Sequence, residues 1–142
     1  MITCPTCGQH MPDLAPPSWT VTLARRLRSM NEHSPNANTQ RQQYRREREA
    51  WQFDVAMAMR LKSIPRAQER RRIVITRIIG SRERAYDYDN LVGGAKALVD
   101  AMTRTGLVID DAARWLDAEY RQERIAGAFG VRLEVWDARR EA

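Results

Sequence analysis

The stretch RAYDYDNLVGGAKALVDAMTRTGLVIDDA, residues 84–112, is the most informative part of the chain. Leu91, Ala95, Leu98 and Met102 recur at intervals of four, three and four, which gathers them into one apolar helical stripe that should face a sheet. A second series, Asp89, Gly93, Lys96 and Asp100, repeats those intervals two residues earlier and falls roughly opposite, a polar face interrupted by a glycine. Gly93 and Gly94 each cost a helix on the order of 1 kcal/mol relative to Ala. Either something approaches closely there, another backbone or a phosphate strand, or the glycines mark a flexible first turn. Gly106 has the place and composition of a helix C-terminal cap.

The two ends of this stretch carry the acids. Asp87 and Asp89 are two apart, so on an extended backbone both carboxylates emerge on one side, with Asp89 or Asn90 capping the helix that follows. Beyond Gly106, LVID is short and extended and ends in the doublet Asp110-Asp111. The doublet either returns to the Asp87 and Asp89 end of the sheet or stays at the far end; spacing leaves both open. If it returns, the converging carboxylates repel one another and require a cation, and hard oxygen donors suit Mg²⁺ or Mn²⁺ rather than zinc. The alternative is that these aspartates are ordinary caps and turns.

Upstream, RRIVITRIIG (71–80) is a β-branched run that reads as a largely buried strand. Before it, QRQQYRREREAWQFDVAMAMRLK (40–62) has helical periodicity. Tyr44, Trp51, Val55, Ala58 and Leu61 share a face and fit core packing, while Arg41, Arg45, Arg46 and Arg48 give the N-terminal half a basic side. SWTVTLARRL (18–27) alternates as a strand, and 29–38 is a polar loop. Downstream, ARWLDAEYRQE and GVRLEVWD both show period-two alternation and read as a hairpin joined across 125–130. Strand and helix therefore alternate in an α/β (α+β) fold, a small mixed β-sheet with two principal helices over 18–142.

Residues 1–17, with four prolines, read as an irregular extension. Cys4 and Cys7 form a CxxC, half of a zinc knuckle, with His10 as a third ligand candidate for structural Zn²⁺; the alternative is a pair of free thiols. The start lacks the basic and apolar regions of a signal peptide, and no stretch has the roughly 20 apolar residues of a membrane helix. The expectation is a soluble, cytoplasmic protein with no membrane partner.

The 142 residues suffice for one compact domain and are too few for a multidomain enzyme. Charge divides along the chain: residues 1–85 carry 16 basic and 7 acidic side chains, residues 86–142 carry 8 and 11. The first part can face phosphates while the second concentrates carboxylates, as a metal-dependent nuclease requires. A genome that favours Arg explains the same totals, since 22 of the 24 basic residues are Arg.

The string Asp87-Tyr88-Asp89-Asn90-Leu91, followed by Lys96, Asp100, Gly106 and Asp110-Asp111, resembles the signature of the RusA-type crossover junction endodeoxyribonucleases, the Holliday junction resolvases of bacteria and their phages. The likeness is tight over about thirty residues and looser over the span 18–137. VGGA stands between Leu91 and Lys96, which is the longer-spaced form of the pattern. The resemblance implies a RusA-like homodimer that resolves four-way DNA junctions by paired symmetric nicks in recombination and repair. It also implies Mg²⁺ held by Asp87, Asp89 and Asp111, with Lys96 beside the scissile phosphate; the other reading of Lys96 is an ion pair with Asp100 four residues on. Arg25, Arg26, Arg28, Arg41, Arg45 and Arg46 are the candidates for phosphate contacts on branched DNA. The competing function is a non-catalytic protein that holds branched DNA on the same basic surface.

Overall fold

The computed structural model describes residues 2–3, 10–11, 15–30 and 36–137. In chain order the elements are β1 (Ile2–Thr3), β2 (His10–Met11), β3 (Trp19–Leu23), α1 (Ala37–Leu61), β4 (Arg71–Ile79), α2 (Tyr88–Gly94), α3 (Lys96–Thr105), β5 (Leu116–Arg124) and β6 (Gly130–Asp137). The fold is α+β, with a four-stranded mixed sheet in the order β3-β6-β4-β5. β4 and β5 run parallel, and the other pairs are antiparallel. Among the described residues, no helix is long and apolar enough to cross a membrane.

β4 lies in the interior of the sheet, and all of its side chains but the partly buried Arg72 are buried; the apolar run Ile73-Val74-Ile75 and the pair Ile78-Ile79 suit a strand covered on both faces. Ile75, for example, is flanked by Tyr120 on β5 and by Leu133 on β6. On the helix-covered face, Ile73 and Ile75 join Val131, Leu133 and Val135 of β6 and Trp19, Val21 and Leu23 of β3. α1 adds Trp51, Val55 and Met59 to this core. α2 and α3 add Leu91, Ala95, Leu98 and Met102, the stripe read from the sequence, all of them buried. Each large apolar side chain in such a core contributes about 1.5–3 kcal/mol. The other sheet face is charged: Arg72 bonds Asp117 at 3.1 Å and Glu119 at 2.8 Å.

Several expectations are corrected. β5 and β6 are not a hairpin, because β4 lies between them; the connection after β5 crosses the end of β4, where the Ile125 N–H donates to the Ile79 carbonyl at 2.9 Å. The mostly polar β5 takes an edge, where charged side chains are tolerated. The helix over the Leu91 stripe is two helices meeting at Ala95, and 107–110 contains no strand; Leu107 and Val108 instead plug the core from a turn. Leu61 is 79% exposed and lies off the buried face of α1, which Met59 occupies. α1 begins inside the stretch read as loop, at the N-cap Asn36, whose side chain accepts from the Asn38 and Thr39 N–H groups. The extension read as irregular contains an antiparallel ladder in which Thr3 pairs with His10.

The polar centre of this core is Arg71, 1% exposed. Its guanidinium donates to Asp137 Oδ2 at 2.9 Å, the Leu107 carbonyl at 2.9 Å and the Pro65 carbonyl at 2.9 Å, and lies 5.1 Å from the Trp19 ring centroid. Removing one member of a buried pair strands the other charge, at a cost of about 3–5 kcal/mol. Arg71→Ala should therefore lower the free energy of unfolding by that amount in urea melts, and far more than Arg72→Ala on the wetter face.

Candidate functional site

The acid-bearing helix starts in a defined way. Asp87 is the N-cap of α2: its Oδ1 accepts from the Asn90 backbone N–H at 2.9 Å and its Oδ2 from the Asn90 side-chain amide at 2.8 Å. The cap is thus Asp87 rather than Asp89 or Asn90. Asp89 falls inside the first helical turn and is exposed, so the two carboxylates do not alternate along one extended strand. Asn90 is what the sequence pattern undervalued, since it immobilises the Asp87 carboxylate from both sides.

At the other end of the motif, Gly106 caps α3 in the left-handed conformation at φ 81°. The chain then buries Leu107 and Val108 and emerges at the doublet, where Asp110 Oδ1 accepts the Asp111 N–H at 2.7 Å. Asp111 acts electrostatically on two groups. Burial first, then the Asp111 charge, push the Asp100 carboxyl above the ordinary carboxylate range, against an opposing pull from Arg104. Burial first, then Tyr88 and then Asp111, push the Tyr120 phenol up. The Tyr120 ring meets the Tyr88 ring edge-on at 6.4 Å, and Tyr88 is the residue between Asp87 and Asp89. The doublet therefore lies on the side of the fold where α2 packs on β5. Even so, among the described residues no group of three His, Cys, Asp or Glu side chains is placed to hold a metal ion.

Lys96 is exposed, and its Nζ lies 5.9 Å from the Tyr44 ring centroid. Asp100 accepts a hydrogen bond from the Tyr44 hydroxyl. The tyrosine read as core packing thus bonds the acid and underlies the lysine. Its i to i+7 relation to Trp51 is correct for the buried face but gives no hint of the polar end of the ring.

The second part of the site is a groove of about 770 Å³ between residues 24–28 and α1. Arg25, Arg26, Arg28, Arg46 and Arg77 line it, against Glu47 and Glu83. Arg25 Nε pairs with Asp54 at 2.7 Å, Arg26 with Glu83 at 3.3 Å, and Arg28 with Glu47 at 3.3 Å. Arg41 and Arg45 are exposed on α1 outside the groove lining. Arg77 was not anticipated, because a β-branched run gives no reason to expect a cation facing a groove. Its guanidinium lies 3.5 Å from the Tyr86 ring centroid and donates to Gln122 Oε1 at 2.9 Å.

Tyr86 joins the two parts. Its hydroxyl donates to the Leu27 carbonyl at 3.2 Å, its N–H donates to Gln122 Oε1 at 2.9 Å, and its carbonyl accepts from Gln122 Nε2 at 2.8 Å. The residue after it is Asp87, so α2 starts at the groove wall. Gly94 reinforces the junction: a Cβ there would stand 1.8 Å from the Arg28 carbonyl oxygen, so the close neighbour that Gly94 requires is a backbone, while Gly93 faces the Met30 side chain. Cys4 and Cys7 lie outside the described residues, and His10 is described only as a member of β2.

No family model and no curated protein matches this chain.

Two measurements check this geometry. Because Asp100 holds its proton more tightly when folded, it costs stability as pH rises from the ordinary aspartate value through its folded value. Asp111→Asn should lower the Asp100 pKa in a carboxyl-carbon NMR titration and flatten that loss; an unmoved pKa would place Asp111 away from Asp100. Gly94→Ala, which collides with rigid backbone, should destabilise by more than about 1 kcal/mol, whereas Gly93→Ala meets only the flexible Met30 side chain and should cost less.

Proposed function

We propose that this protein is a divalent-cation-dependent, structure-specific endodeoxyribonuclease that resolves four-way DNA junctions, working as a homodimer with one active site per copy. The observation that carries the reading is that Tyr86, which lines the groove of arginines and bonds the Leu27 carbonyl, is followed directly by Asp87, the first acid of the motif and the N-cap of α2. Hydrolysis of a phosphodiester requires a strand held in register and carboxylates that can organise water and positive charge at the bond to be cut.

The donor set fits a hard cation. Asp87, Asp89 and Asp111 offer only carboxylate oxygens, and each Asp87 oxygen keeps a lone pair after accepting from Asn90. These three would hold Mg²⁺, with Mn²⁺ as a substitute, and the bound ion would supply Lewis-acid stabilisation and a more acidic water. Asn90 holds Asp87 in one orientation. Lys96, exposed beside Tyr44, supplies a mobile positive charge for the phosphate. Arg25, Arg26, Arg28 and Arg46 would exchange their present carboxylate partners or solvent for DNA phosphates, with Arg41 and Arg45 extending the contact along α1. A structural Zn²⁺ on Cys4, Cys7 and His10 belongs to the same proposal. The competing reading is a protein that holds branched DNA on the same basic surface without cutting it.

A labelled synthetic four-way junction separates the two. Paired symmetric nicks with Mg²⁺ and none with EDTA are expected, together with loss of cleavage but retained junction binding in Asp89→Asn. A stable complex without product under both conditions would establish the binding protein, and cleavage surviving Asp89→Asn would displace the metal site.

A further inference from the structure

The basic groove contains more aromatic surface than phosphate binding needs. Three of its arginines lie over rings: Arg26 at 5.3 Å from the Phe129 centroid, Arg25 at 5.9 Å from Trp51 and Arg77 at 3.5 Å from Tyr86. Trp51 is buried, but Phe129 at the rim is 47% exposed. That exposure does not come from a slack loop. Ala128 N–H donates to the Ile125 carbonyl at 3.1 Å, and Gly130 at φ 125° packs so closely that a Cβ there would stand 2.5 Å from the Leu23 carbonyl oxygen. The backbone on both sides holds the ring out at the mouth of the groove, with one face toward a guanidinium.

Duplex DNA presents phosphates and base edges to a protein, whereas unpaired nucleotides also present base faces that stack on aromatic rings and guanidinium planes. A volume near 770 Å³ falls among pockets of about 300–1,000 Å³ that enclose small molecules, room for about one or two unstacked nucleotides and not for a double helix. Five arginines against two glutamates on the lining give the groove the sign a polyanion requires. Glu47 pairs with Arg28, and Glu83 with both Arg26 and Arg77, which fixes these guanidiniums along the groove.

We propose that this groove binds an unpaired stretch of DNA strand, with phosphates on Arg26, Arg28 and Arg46 and a base face stacked on Phe129. The inference rests on the nucleic-acid reading above and names the part of a branched substrate that the groove takes. It does not depend on cleavage, and it is tested in EDTA.

The test is fluorescence anisotropy of the full chain with a dye-labelled oligothymidylate of about ten nucleotides, within the usual range of single-strand site sizes, and with a duplex of equal length. The wild type should prefer the single strand. Phe129→Ala should weaken single-strand binding by about 5- to 100-fold, the scale of one lost base stack, and leave duplex binding within about 2-fold. Phe129→Trp should restore the affinity and Phe129→Leu should not, which separates stacking from simple apolar bulk. Arg46→Ala should weaken both ligands and reduce the salt slope by about one. Unchanged single-strand affinity in Phe129→Ala, equal losses on both ligands, or full rescue by Leu would overturn the proposal. A wild type that passes this test yet never cuts a junction would overturn only the nuclease reading.

Discussion

One guanidinium holds the corners of this fold together. Arg71 begins β4, Asp137 ends β6, Pro65 belongs to the connection after α1, Leu107 to the turn after α3, and Trp19 opens β3; all five meet at the Arg71 head group. A buried charge is tolerable only when fully paired, so each of these chain segments must arrive in place for the others to be stable. The arrangement specifies as well as stabilises: a sheet assembled with β6 on the wrong side of β4 would leave Asp137 far from its cation. It also fixes where α3 ends, and therefore where the acidic doublet leaves the surface.

The sequence contained the elements more clearly than their neighbours. The Leu91 stripe and the β-branched run of β4 were legible because burial imposes periodicity or its absence on the chain itself. Strand order was not legible. Alternation along β5 and β6 reports one wet face on each and says nothing about which strand lies alongside, so a nearby pair looked like a hairpin when β4 had come between them. The break at Ala95 was hidden for a similar reason: the apolar stripe runs across it without a change of phase. Gly94 pointed the other way, since its cost to the helix signalled a close approach that the Arg28 carbonyl supplies.

The candidate site divides along the same line. Charge segregation and the spacing of the aspartates could be read directly, as could the arginines at 25, 26, 28 and 46. What could not be read are roles created only by packing. Tyr44 bonds Asp100 across two helices, Arg77 reaches out of a buried strand toward Tyr86, and Phe129 is held between the Ala128–Ile125 turn and Gly130, which packs on the distant Leu23 carbonyl. Asn90 shows the intermediate case, visible as part of a motif but with its grip on both Asp87 oxygens apparent only in three dimensions.

The contact between Gly94 and the Arg28 carbonyl has a consequence for how such a molecule can diversify. It joins the floor of the cationic channel to the helix that bears the acids, with no compressible side chain between them. Variation in the backbone at 28 would transmit directly into the acidic helix, whereas the turn carrying Phe129 is held by the Ala128–Ile125 bond and by Gly130 against the Leu23 carbonyl, two anchors that do not involve that helix. That turn can therefore vary while the acidic helix keeps its alignment.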